Sequence, residues 1–159
     1  MLALAASGSA AGAADIRFYT GADPVPAAVV ARVTCDRVGM SGQRRAFAGG
    51  FLFQVTCPGN HANHMQAFVL AAGADGQGAR TLLFPGPGRT PPVDAIANPR
   101  INPRTRQIAE LSVDPEAHIC RSEARWRIAG PQAPPRLVFW RQTRDCTGRR
   151  GWKVLAGRR

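Results

Sequence analysis

Lysine is nearly absent from this chain. Lys153 is the one lysine among 21 basic residues, and ten acids offset them, leaving a formal net charge of +11 over 159 residues. So few acids supply no well-placed carboxylate pair for acid–base chemistry; Asp114 and Glu116 flank Pro115 in a turn pattern. There is no C-x-x-C, which argues against a thioredoxin-like redox site and a four-cysteine zinc ribbon. Neither Ser41 nor Ser112 stands in a G-x-S-x-G or S-x-x-K setting, the contexts that activate a serine nucleophile. His118 and Cys120 would share one side of a strand, with no third group to orient them. No residue is therefore assigned a catalytic role, and no cofactor is implied. Past the N-terminus, no apolar run approaches the ~20 residues that a membrane-spanning helix needs. Internal repeats and heptads are missing as well.

What is present begins with an address. Residues Leu2 to Ala14 are Leu, Ala, Gly and Ser without charge and end in A-G-A-A before Asp15. That pattern suits a signal peptide over 1–14, cleaved at the small residues, although the positive n-region is missing. The remaining 15–159 has the length and apolar content of one globular domain with a real core. The expected location is periplasmic or secreted. Four cysteines, Cys35, Cys57, Cys120 and Cys146, agree with an oxidising compartment. They allow three pairings; proximity favours Cys35 with Cys57 and Cys120 with Cys146, each closing a loop for ~3 kcal/mol.

Hydrophobic periodicity predicts an α+β, mainly β fold: an antiparallel meander of about six to eight short strands, one N-terminal helix packed on it, and two disulfides. Asp23 followed by Pro24 opens a helix of about 12 residues toward Cys35. Phe51, Phe53 and Val55 alternate with Leu52, Gln54 and Thr56 before the turn at Cys57-Pro58-Gly59-Asn60. The stretch 85–103, rich in Pro and Gly, reads as a long irregular surface connection. In the last third, Ala124, Trp126 and Ile128 share one strand face. Leu137 and Phe139 join them from the next strand, with Val138 and Trp140 pointing away.

Two clusters carry candidate chemistry. C-P-G-N-H-A-N-H-M brings Cys57, His61, His64 and Met65 together, nitrogen and soft sulfur donors of the kind copper or zinc uses. Against a metal, Cys57 is already claimed by a disulfide and no carboxylate is near, so His61 and His64 also fit a solvated turn. The second cluster is arginine. From Arg121 to Arg159 eleven basic residues face two acids, Glu123 and Asp145, for a net +9. Arg125, Arg127, Arg136 and Arg144 would share one sheet face, where guanidinium groups offer bidentate bonds to phosphate or carboxylate. The alternative is a solvated face that only aids solubility.

The segment N-P-R-I-N-P-R-T-R-Q-I-A-E-L-S, then C-R-S-E-A-R-W-R-I-A-G, P-R-L-V-F-W-R-Q-T-R-D-C-T-G and Trp152, is similar to the C-terminal region of the proteobacterial family catalogued as domain of unknown function 1176. The similarity covers about residues 97–155. It implies an exported protein in which a Trp-bearing strand follows one cysteine and a second strand ends in another, at Cys120, Trp126, Phe139 and Cys146 here. Arg121 stands where that family has a small residue, and the resemblance brings no activity with it.

The expected function is thus a non-catalytic envelope or periplasmic protein that binds an anionic partner: lipopolysaccharide, anionic lipid, acidic polysaccharide or an acidic protein. Nucleic acid is disfavoured by the exported address, and lysozyme by its own basic charge. The runner-up is a small secreted hydrolase or metal-binding accessory protein.

Overall fold

The structure, a computed structural model, describes residues 16–36, 41–87, 89–116, 120–143 and 151–157. The expected signal segment, His118, Arg144 and Cys146 lie outside the described residues. Among those described are thirteen strands and one short helix.

The chain opens with β1 (Arg17–Tyr19) and α1 (Ala27–Val30). The helix expected to run from Asp23 toward Cys35 is a single turn. Asp23 does not cap it, because its carboxylate pairs with Arg17 (3.0–3.3 Å) and its carbonyl accepts the Thr20 N–H (2.9 Å). Pro26 takes the cap position without a side-chain bond. Beyond Ala31 the backbone bonds tighten to i−3, from Arg32 to Val29 and from Val33 to Val30. The valines have little χ1 freedom in a helix and gain by packing against a sheet instead.

Next come β2 (Gly42–Phe47), β3 (Gly50–Thr56), β4 (Met65–Ala71) and β5 (Arg80–Thr81). They pair antiparallel in the order β1-β2-β3-β4-β5. A two-residue turn joins β2 to β3, with Ala48 and Gly49 both at positive φ (52° and 83°), the mirror-image geometry whose twist matches a hairpin.

The stretch expected to be irregular, 85–103, instead supplies short strands. β6 (Phe84–Gly86) and β7 (Arg89–Val93) form a hairpin, β8 (Ala95–Ala97) joins the first sheet beside β4, and β9 (Arg100–Asn102) begins the second. Its prolines are tolerated because Pro91 and Pro92 sit exposed in a strand paired on one side only, so no ladder donor is missed. The second sheet continues through β10 (Gln107–Val113), β11 (Arg121–Arg127), β12 (Arg136–Thr143) and β13 (Trp152–Ala156), a meander in chain order.

The main core lies between the sheets. Phe47, Leu52, Phe68 and Leu70 of the first meet Ile108, Ala124, Trp126 and Trp140 of the second, with Leu82, Phe84 and Ile96 among them. A second core covers the opposite face of the first sheet, where Val25, Val29 and Val33 meet Phe53, Val55 and Val69. Strands β3 and β4 are therefore buried on both faces, which is why F-L-F-Q-V and A-F-V-L-A are almost continuously apolar. The Cys35–Cys57 disulfide (Cα–Cα 5.7 Å) ties the covering segment to the end of β3. Of the two disulfides expected, this one is described; the other pairing involves Cys146.

The β11–β12 pairing departs from strict alternation. Arg125 faces Phe139 while Trp126 faces Leu137, so Val138 is an extra residue in β12. The bulge reverses the parity beyond it. Contrary to the alternation reading, Trp140 enters the main core and Phe139 turns to the outer face. Gly157 (φ 78°) packs against this bulge, where a Cβ would lie 2.0 Å from the Val138 carbonyl oxygen. Gly157→Ala is expected to destabilise by about 1–3 kcal/mol, read as a lower midpoint in urea unfolding; an unchanged midpoint would show the contact to be slack.

Candidate functional site

Strand β11 reads R-S-E-A-R-W-R, and its alternation holds throughout. Ala124 and Trp126 point into the core, while Arg121, Glu123, Arg125 and Arg127 point out. Residues directly opposite in neighbouring strands share a face. By register, that outer face also carries Arg100 beside Ala109, Arg136 beside Arg127, Phe139 beside Arg125, and Arg141 beside Glu123. Among the described residues, six arginines, Arg100, Arg121, Arg125, Arg127, Arg136 and Arg141, thus share one face with a single acid, Glu123.

The inner part of the face is ordered by pairing and stacking. Arg141 Nε donates to Glu123 Oε2 at 2.8 Å, with Nη2 2.5 Å from the same oxygen. Arg125 Nε stands 3.4 Å from Glu123 Oε1, an ion pair without hydrogen-bond alignment. Phe139 lies beneath both cations, 4.2 Å from the Arg125 guanidinium and 5.8 Å from that of Arg141. Trp152 packs 4.3 Å from Arg141. Stacked cations of this kind gain ~0.5–2 kcal/mol, more as water is excluded, and are held in place for a ligand. Arg127 and Arg136 are the outer part: both exposed, directly opposed, and without an ion-pair partner among the described residues.

Of the four arginines expected here, Arg125, Arg127 and Arg136 do share the face, and Arg144 lies outside the described residues. Sequence reasoning missed Arg100, Arg121 and Arg141. Arg100 was hidden in the stretch read as irregular. Arg141 and its companion Phe139 were hidden by the bulge at Val138, which no period-2 pattern reveals. Between Arg100, Leu111, Glu123, Arg141 and Trp152 the face hollows into a pocket of about 360 Å³.

The histidine cluster is taken apart by the fold. Cys57 is in the disulfide, and Met65 packs against the second core. His61 Nε2 lies 3.2 Å from the Pro115 carbonyl, and the backbone N–H of His64 donates to Asn98 Oδ1 at 2.9 Å. No group of three potential ligands gathers among the described residues. Ser41 shares its hydroxyl with Thr56 at 3.3 Å. No helix among the described residues is long and apolar enough to cross a membrane. No family model matches this chain, and neither does any curated protein or solved structure.

Proposed function

We propose that this chain is a non-catalytic binding protein that takes an anionic envelope component onto the outer face of its second sheet, outside the cytoplasm. The observation that carries the reading is the pair Arg127 and Arg136. Like charges directly opposed on a sheet are destabilising, and no acid offsets these two among the described residues. A bound anion removes that repulsion and gains charge-assisted, bidentate bonds. The exported address is supported by the uncharged small-residue N-terminus and by the Cys35–Cys57 disulfide.

The test is co-sedimentation with vesicles containing phosphatidylglycerol and with lipopolysaccharide, against neutral phosphatidylcholine. Binding should weaken steeply with salt. Arg127→Ala/Arg136→Ala should lower it by about 30-fold, at about 1 kcal/mol for each arginine near an anionic surface. Both side chains are exposed, so folding is not at issue. Binding that ignores salt, or none to any polyanion, defeats the proposal.

A further inference from the structure

Granted that the face binds an anion, we infer that the pocket at Trp152 receives one anionic sugar unit, carboxylated or phosphorylated, from that partner. Charge alone would recruit any anion, but the pocket adds three features that a bare charge does not use. Its volume of about 360 Å³ sits at the low end of the about 300–1,000 Å³ of small-molecule sites, so it suits a ring or two and not a flat lipid surface. Its walls combine the Trp152 indole and Leu111 with Arg100 and Arg141. An apolar wall beside cations matches a ring that offers C–H faces together with a carboxylate or phosphate.

Glu123 is the third feature. Its carboxylate orients Arg141 from within the pocket, and its lone pairs not used by Arg125 and Arg141 can accept from hydroxyl groups. Arg141 is held on two sides, by Glu123 and by the Trp152 ring, while no hydrogen bond engages its Nη1 among the described residues. A guanidinium fixed in this way loses little conformational freedom when it meets a ligand. Inorganic phosphate would satisfy the arginines but bring no C–H face to Trp152 and Leu111.

Trp152 also reports on the site. Trp126 is 0% exposed and Trp140 6%, so a ligand at the surface changes the emission of Trp152 alone. Titrations of trigalacturonate and of glucose 6-phosphate should blue-shift that emission, with affinities about tenfold or more above those for inorganic phosphate and neutral trigalactose. Read by isothermal titration calorimetry, Trp152→Ala should lose the acidic sugars by about tenfold while keeping salt-sensitive vesicle binding. Exposed Arg100→Ala provides the same loss should the tryptophan variant fold poorly. Whichever acidic sugar is preferred identifies the source as a uronate polymer or a phosphorylated saccharide, and either supports the inference. Salt-sensitive vesicle binding with no preference for acidic sugars over inorganic phosphate, or sugar affinity unchanged by both variants, overturns it and leaves the anionic face standing. Absence of any anion binding overturns that earlier reading itself.

Discussion

Glu110→Ala is expected to destabilise the protein by about 3–5 kcal/mol, a large part of the about 5–15 kcal/mol that holds a typical domain folded. Glu110 comes from β10 but points into the main core, where it is 4% exposed. It accepts the Ala97 N–H at 2.9 Å and an ion pair from Arg89. Arg89 in turn lies over two indoles, 5.3 Å from Trp126 and 5.1 Å from Trp140. The pair therefore joins the β6–β7 hairpin and β8 to the second sheet. Removing the carboxylate leaves a guanidinium among aromatic rings with no counter-charge and orphans the Ala97 N–H, so the loss exceeds that of an ordinary hydrogen bond. Arg89→Met/Glu110→Leu should recover much of the stability, because an apolar pair of similar volume carries no unpaired charge. Guanidinium unfolding of the three proteins decides it. A loss below about 1 kcal/mol for Glu110→Ala would mean that the site relaxes to admit water and that the pair does not hold the sheets together.

Cys35→Ala/Cys57→Ala has the next largest expected effect, about 3 kcal/mol for a disulfide spanning 22 residues. The structure says where the loss should appear first. Residues 16–36 cover one face of the first sheet through Val25, Val29 and Val33, with the three-residue β1 and one helical turn as their regular structure. Untied from β3, that covering should open locally, since few backbone bonds hold it. Limited proteolysis should then cut within 16–36, and amide exchange should quicken there and along β1, while β10 to β12 stay protected. Uniform loss of protection across both sheets would instead show that the two cores unfold together.

Much of the architecture could be read from particular residues. The alternation of Ala124, Trp126 and Ile128 against Glu123, Arg125 and Arg127 placed β11 with its correct inner and outer faces, because a period of two is set by the local backbone. The short separation of Cys35 and Cys57 pointed to the disulfide for a similar local reason. The helix after Asp23 was misjudged because a cap-like Asp-Pro pair was weighed above the valines that follow it. Asp23 found Arg17, and the valines found the sheet.

The arginine-rich character of the last third, its shortage of lysine and acid, and the inner face of β11 were determined by the sequence itself, since they are matters of composition and of one-residue alternation. Tertiary structure alone decided which arginines meet. A bulge at Val138 turns Phe139 outward beneath Arg125 and Arg141 outward beside Glu123, β9 brings Arg100 to the same face, and β13 sets Trp152 against Arg141. Strand pairing in this sheet joins residues 5 to 20 positions apart, and a single extra residue in one strand inverts every side chain that follows. No local pattern records either event.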